Sequence, residues 1–499
     1  MKSKRSFAGL IGTLIVMLYG CDNSQINEPE PPDLQIPEPE VDIPGPAPEP
    51  EKELTGLEIA GLPDKTVYLM GETFGVEGLR VNAVYSDGSS EPTEEYTVQS
   101  FDTFTAGVFS ITVSANGADD RTAVFDVTVS NELMNTGLPV IYLETRNAQP
   151  ILSKEEYVPL NLRITSDNPA YCLEKTGFND GIRGRGNTSW GYPKKPYRIK
   201  FNAKTSLFGL ERAKSWVLLA NYKDATLLTN TIAFELGQRF NLPYTNHYVH
   251  TEVVLNGVYQ GSYALTEQVQ VGNGRVDIDE DDGYLVELDS YYDEEPKFRT
   301  TNLQLPVMIK SPEDLPDDSG YAFVRDSLNA FDAALADENF PANDYTDLLD
   351  VDNFVDFIMI NEMVRNTELG HPKSTYLYKD AGEKIKMGPL WDFDWAFGIG
   401  GSSSVNLDTA ATRYQGGWFF SRFFRDPEFV SKYKARWNAQ YSSIADISVF
   451  IDSMYAQLRA SQTLNSRRWY ALDYEAEIAK LKTWWNNRTA YLNAAINAE

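Results

Sequence analysis

The hydrophobic period of this chain changes along its length, and that change limits what it can fold into more than any single motif. Between Leu57 and Val129 apolar residues recur at every second position, as in Leu79-Arg-Val-Asn-Ala-Val-Tyr85, Phe109-Ser-Ile-Thr-Val113 and Ala123-Val-Phe-Asp-Val-Thr-Val129. A period of two belongs to strands with one buried face. Ser86-Asp-Gly-Ser89 marks a hairpin, and Gly61, Gly71 and Gly107 punctuate the rest. Strand patterns continue at Pro139–Glu144, Tyr157–Thr165, Thr251–Tyr259 (with a turn at Asn256-Gly257) and Tyr284–Leu288, interrupted by helical spacing over 226–238. Beyond Ser319 the period lengthens to that of helices, over 320–337, 351–366, 425–443, 447–462 and 473–497. The expected architecture is multidomain: an all-β sandwich over 55–131, then an α+β domain over 138–499.

The sandwich has strands at immunoglobulin-like spacing. Tyr68-Leu-Met-Gly-Glu72 and Ala83-Val-Tyr-Ser-Asp-Gly-Ser89 resemble the bacterial Ig-like domains of surface proteins. That resemblance implies a spacer, with glycan or protein binding as the alternative. Ahead of it, Met1-Lys-Ser-Lys-Arg5 and the apolar run Phe7 to Leu18 read as a signal peptide over 1–20, too short to span a bilayer. Leu18-Tyr-Gly-Cys21 resembles a lipobox, which implies a lipid on Cys21 and anchorage to a bacterial outer membrane, facing the periplasm or the cell surface. Residues 21–54 are rich in Pro, Glu and Asp, cannot bury enough apolar area to fold, and read as an extended stalk.

Charge and rare residues narrow the chemistry. A net charge of −28 over 499 residues argues against nucleic acid, whose phosphates need a basic face. Three histidines and two cysteines cannot build a zinc cluster. With Cys21 lipidated, Cys172 has no disulfide partner and reads as a buried or partly buried thiol. Catalysis then rests on carboxylates, Lys and Arg, with a hard cation such as Mg²⁺ as the natural partner.

Two constellations suit that chemistry. In Gly388-Pro-Leu-Trp-Asp-Phe-Asp-Trp-Ala-Phe-Gly398 an extended backbone would put Asp392 and Asp394 on one face and Trp391, Phe393 and Trp395 on the other. Paired carboxylates need a cation or a shared proton between them, so the pair reads as a metal site or an acid dyad. In Gly181-Ile-Arg-Gly-Arg-Gly-Asn-Thr-Ser-Trp190, Gly184 and Gly186 allow close backbone approach, and Arg183 and Arg185 offer forked donors to phosphate. Arg198 and Lys200 share a face of the following strand. Two further stretches carry less: Asp224 reads as a cap for the helix beginning near Thr226, and Asn361–Tyr378 leads through a turn holding Glu368, His371 and Lys373 into a strand.

Taken in order, Arg183-Gly-Arg-Gly-Asn-Thr-Ser-Trp with Lys194-Lys-Pro-Tyr-Arg-Ile-Lys, Trp216-Val-Leu-Leu-Ala-Asn-Tyr-Lys-Asp, Gly257-Val-Tyr-Gln-Gly-Ser-Tyr with Glu267, and Trp391-Asp-Phe-Asp resemble the CotH family of spore-coat, atypical protein-kinase-like proteins. The resemblance implies an α+β kinase-like domain over 138–499 that binds ATP with Mg²⁺ and phosphorylates a protein acceptor. It gives Asp392 the part of principal metal ligand, with Asp394 in support. Lys200 becomes the strand lysine on the phosphates, Arg183, Gly184, Arg185 and Gly186 their cradle, and Glu287 a residue beside the base. Family members often carry an Asp as catalytic base in the turn and an Asn after it; here Glu368 and Lys373-Ser374 stand there. That departure keeps open a second reading, a non-catalytic adhesin that binds a glycan or surface protein.

Overall fold

The alternating segments at the N-terminal end become two facing sheets. The computed structural model describes residues 51–312, 318–370, 372–399, 402–470 and 473–498. The signal segment, Cys21, nearly all of the stalk and His371 lie outside the described residues. Strands β1 (Leu54–Gly61), β2 (Val67–Met70), β3 (Arg80–Tyr85), β4 (Ser90–Thr93), β5 (Tyr96–Val98), β6 (Gly107–Ala115) and β7 (Ala118–Leu133) pair as β1-β3-β4 and as β2-β7-β6-β5. Tyr68, Val81, Ile111, Val113, Phe125 and Val127 fill the space between them.

This sandwich is seated on the domain that follows, whereas a spacer would be held clear of it. Met70, Phe104 and Leu133 share one apolar cluster with Val140, Val254, Tyr259 and Leu464. The Ala106 N–H donates to the Gly257 carbonyl at 2.8 Å and the Tyr259 N–H to that of Phe104 at 2.9 Å. The rings of Phe104 and Tyr259 stack at 5.7 Å, and the Arg467 guanidinium lies over Phe104 and donates to the Gly71 carbonyl at 2.8 Å.

The second domain begins as a closed barrel of β8 (Val140–Thr145), β9 (Val158–Thr165), β10 (Leu173–Gly184), β11 (Tyr197–Thr205), β12 (Ala213–Leu219), β13 (Tyr248–Leu255) and β14 (Val258–Glu267), in the order β10-β11-β12-β14-β13-β8-β9. Ile141, Leu160, Ile182, Ile199, Trp216, Leu218, Val253 and Leu265 belong to its core. Asn256 and Gly257 join β13 to β14 with φ of 51° and 72°, the left-handed pair that a tight hairpin requires. Helix α1 (Thr229–Arg239) starts three residues later than expected, with Leu228 at its N-cap and no side-chain cap; Asp224 instead fastens the segment ahead of it, accepting the Thr226 N–H at 2.9 Å and the Thr229 N–H at 2.8 Å. Cys172 is exposed, against expectation: it follows the short turn Pro169–Tyr171 before β10, away from the apolar interior.

A mixed layer completes the domain. Strands β15 (Tyr284–Leu288), β16 (Lys297–Arg299), β17 (Pro306–Ser311), β18 (Thr375–Lys379) and β19 (Lys386–Met387) form a sheet in the order β16-β17-β15-β18-β19. Around it lie α2 (Asp318–Ala336), α3 (Tyr345–Leu348), α4 (Val351–Met363), α5 (Pro427–Ala445), α6 (Ile447–Trp469) and α7 (Tyr474–Ala498). Helix α4 is buried almost all round, which its near-continuous apolar run Phe354–Ile360 dictates. Among the described residues no helix is long and apolar enough to cross a membrane.

Candidate functional site

A cleft of about 700 Å³ opens where the barrel meets the mixed sheet. Arg183, Arg185, Gly186 and Arg198 line its barrel side, and Glu287, Asp289, Glu368, Ser374, Asp392 and Asp394 line the other. Residues far apart in sequence are thus brought to one cavity. Gly184 and Lys200 are not part of its lining.

The aspartate segment is not a strand. Ladder pairing stops at Met387, because Gly388 adopts φ 127° and Pro389 has no N–H to continue it; the chain turns over 394–399. Asp392 itself has φ 62°, a left-handed conformation uncommon outside glycine and found where the surroundings impose it. The expected alternation is therefore lost. Trp391 and Trp395 line the cleft beside both aspartates, and Phe393 enters the core at 1% exposure. Asn230 from the first turn of α1 holds this geometry. Its Oδ1 accepts the Phe393 N–H at 2.9 Å and its Nδ2 donates to Asp394 Oδ1 at 2.9 Å.

The glycine segment has a different logic from the one its composition suggests. A Cβ on Gly184 would lie 2.5 Å from the Trp190 indole, so this glycine makes room for a ring of its own chain. Gly186 has φ 78° and turns the backbone at the cleft edge. Arg185 reaches across to Trp391, its guanidinium 5.2 Å from the ring centroid, and Arg183 lies 5.2 Å from the Tyr157 ring. Strand register explains the placement of Lys200. Arg198 pairs with Arg183 near the cleft end of β10, but Lys200 pairs with Gly181, two residues farther away. Lys200 is exposed, with its Nζ 5.7 Å from the Tyr157 ring, and Arg198 occupies the cleft position expected for it.

Comparison with known proteins places the cleft within one family region. A family profile described as CotH kinase protein matches residues 182–492, most of the chain and every residue of the cleft named so far except Tyr157. The chain belongs to the CotH kinase protein family. A second profile, bacterial Ig-like domain (group 3), matches residues 62–129. Pectate lyase L of Thermoclostridium stercorarium is 44% identical over 73 residues, which are 14% of this chain and 6% of that lyase. The chain spans only that small fraction of the lyase.

Within the CotH region the cleft concentrates carboxylates. Burial pushes the Glu368 carboxyl up to about 9, helped by repulsion from Asp392 and then Asp394. Asp394 is pushed up to about 7 by burial and by Asp392. Burial also raises Asp392, opposed chiefly by the Arg185 guanidinium. Such a group holds a proton or a cation. Among the described residues no three His, Cys, Asp or Glu are set to hold a metal by themselves.

Glu287 lies on β15 facing the same cavity, with Lys310 3.2 Å away, and burial pushes its carboxyl up to about 7. Glu368 sits on the turn Thr367–Gly370, 7% exposed. Ser374 Oγ lies 3.5 Å from Asp392 Oδ2, at the position where relatives were expected to carry Asn. The Ser374 N–H donates to Asp289 at 3.1 Å, which fastens the turn to the end of β15. Across the mouth, Thr188 Oγ1 meets Tyr291 Oη at 3.0 Å. Asn230, Asp289 and Tyr192, whose hydroxyl faces Asp394, Asp392 and Glu368, were missed from sequence. Asn230 follows Thr229, whose N–H Asp224 accepts, and its role depends on a partner 163 positions away.

Proposed function

We propose that the CotH region binds ATP with Mg²⁺ and transfers the γ-phosphoryl group to a hydroxyl of a protein acceptor. The observation that carries this reading is the convergence of Asp392 and Asp394 with Arg183, Arg185 and Arg198 in one cleft of a chain whose net charge is −28. Arginine forks suit phosphate oxygens, and recessed carboxylates suit a dication. Asp392 would hold Mg²⁺ with support from Asp394, and the ion would supply charge neutralisation at the phosphates. Arg185, lying over the Trp391 ring and acting electrostatically on Asp392 and Asp394, would position the phosphate end, and Arg198 would take the part first assigned to Lys200. The acceptor oxygen bonds to the γ-phosphorus as the bond to the bridging oxygen breaks, and the hydroxyl proton passes to Glu368. That step needs Glu368 ionised; neutralising Asp392 and Asp394 removes the part of its upward shift that comes from their repulsion, while burial still opposes it. Glu287 with Lys310 remains the candidate contact to the nucleoside. Cys21 would carry the lipid, placing the domain at a bacterial outer membrane, on its periplasmic or outer side.

The second reading is a non-catalytic surface protein that binds a glycan or a protein. The raised Glu368 and the exposed Lys200 favour it. Labelled ATP and Mg²⁺ decide between them. The test uses the lipid-free chain with its Ig-like domain retained, because removing that domain uncovers Phe104's partners. Transfer of label to the chain or to casein, lost in Asp392→Ala, supports the kinase. No nucleotide binding at millimolar ATP, alongside a hit on a glycan array, selects the adhesin.

A further inference from the structure

A second cavity of about 450 Å³ lies behind the segment that leaves β14, and it shares Gln268, Val269 and Gln270 with the main cleft. Its volume lies within the roughly 300–1,000 Å³ of small-molecule sites. The acidic and basic side chains that line it are Glu267, His247, Arg275 and the exposed Asp277. Glu267, 6% exposed, lies 2.8 Å from His247 Nδ1 through Oε1 and accepts the His247 N–H at 2.9 Å through Oε2. Arg275, 7% exposed, donates to the Gln268 carbonyl at 2.9 Å and to that of Ser215 at 2.8 Å, with its guanidinium over Trp216. Arg275 keeps its charge, and Asp277 in the same wall carries the opposite one, so the lining has no excess of either sign.

The other polar groups of the wall are two-sided. The carboxamides of Asn241 and Gln270 each carry a donor and an acceptor, and neither bonds to another described side chain or backbone group. His247 has Nε2 to offer once Nδ1 is engaged by Glu267. Leu242, Val269 and Pro389 supply apolar wall beside them. Groups that both donate and accept, set beside apolar surface, match a ligand whose every hydroxyl does the same and whose ring carries C–H faces. We infer that this cavity is a binding site for a neutral saccharide of one or two units, separate from the aspartate cleft.

Saturation-transfer difference NMR on the lipid-free chain, with maltose, cellobiose and chitobiose as probes and inorganic phosphate as the charged control, tests it. Expected is signal from at least one disaccharide, weakened at least tenfold by Asn241→Gly and by His247→Ala at unchanged melting temperature. The glycine keeps the left-handed backbone at Asn241 (φ 54°) and removes only the carboxamide. Asp392→Ala, in the other cavity, leaves the saccharide signal intact, so failure of the kinase reading and failure of this one are told apart. No saccharide binding at millimolar concentration overturns the inference. So does binding that both cavity variants leave unchanged, or a preference for phosphate over every sugar.

Discussion

The chain holds two long-range junctions that solve opposite problems. At the seat of the Ig-like domain, apolar side chains from β2, β7, β13, β14 and α6 close on each other, and the backbone groups that reach across are paired. In the aspartate cleft, Asp392, Asp394 and Glu368 are drawn together out of water with their repulsion left standing. The first arrangement gains stability from burial. The second gives some up, and a structure keeps such a cost where a ligand relieves it. A junction and a site can therefore be told apart by asking which changes lower stability and which lower only binding.

The sharpest break in that comparison is Asp392→Ala. In the kinase reading, loss of the principal ligand lowers phosphoryl transfer on the order of a thousandfold. The same change removes one of the repelling charges, so denaturant melts in EDTA should show stability equal to or above that of the parent. A large drop in stability would make Asp392 structural and end the argument for a metal site. At the other junction Phe104→Ala has the opposite signature. Phe104 is 4% exposed and packed between Tyr259 and Arg467, and its truncation should cost about 3–5 kcal/mol. Calorimetry should then resolve two melting steps where the parent shows one, with nucleotide affinity little changed.

The cleft carboxylates also give a signed pH dependence. The folded state holds protons on Glu368 and Asp394 that the unfolded chain releases near pH 4, so their contribution to stability is complete at low pH. It is lost as pH rises through about 7 for Asp394 and about 9 for Glu368. Glu368→Gln keeps the shape and cannot ionise. Its stability in EDTA should match the parent at pH 5 and exceed it at pH 9, on the order of 2 kcal/mol. Mg²⁺ with nucleotide should shrink the gap. A difference that is constant with pH would place Glu368 away from the other two charges.

Periodicity made the elements legible because it is local. The Asn256-Gly257 hairpin, the local turn fastened by Asp224 and the six long helical stretches needed no knowledge of distant partners. Domain docking and side-chain aim did need it. Trp391 and Phe393 look equivalent in an alternating reading, yet the left-handed turn at Asp392 sends one to the cleft and the other to the core. Arg198 and Lys200 lie on one face of β11 in either reading, and only the register with β10 shows which of them reaches the cavity. The carboxylates were recognisable as a pair from spacing. Their company of Glu368 and Asp289 came from the way the turn before β18 folds against the end of β15, and that of Tyr192 from the segment between β10 and β11.

Asn230 tests how far that distant placement matters. Its side chain holds the backbone at Phe393 and the carboxylate of Asp394, with a longer bond to Asn221 at 3.4 Å, so its part at the cleft wall is to position Asp394. Each neutral hydrogen bond is worth about 1 kcal/mol net, and one to a charged group somewhat more. Asn230→Ala should then weaken Mg²⁺-dependent nucleotide binding about tenfold. A general loosening of the fold would lower the melting temperature and leave the Mg²⁺ midpoint where it was. Loss of positioning would instead move the Mg²⁺ midpoint upward, with the melting temperature in EDTA nearly constant, because the mutation also frees Asp394 to turn from Asp392. Asn230→Asp separates the two bonds. Its carboxylate still accepts the Phe393 N–H but opposes Asp394, so the Mg²⁺ midpoint should shift further than in Asn230→Ala only if the contact to Asp394 is the one that sets the site.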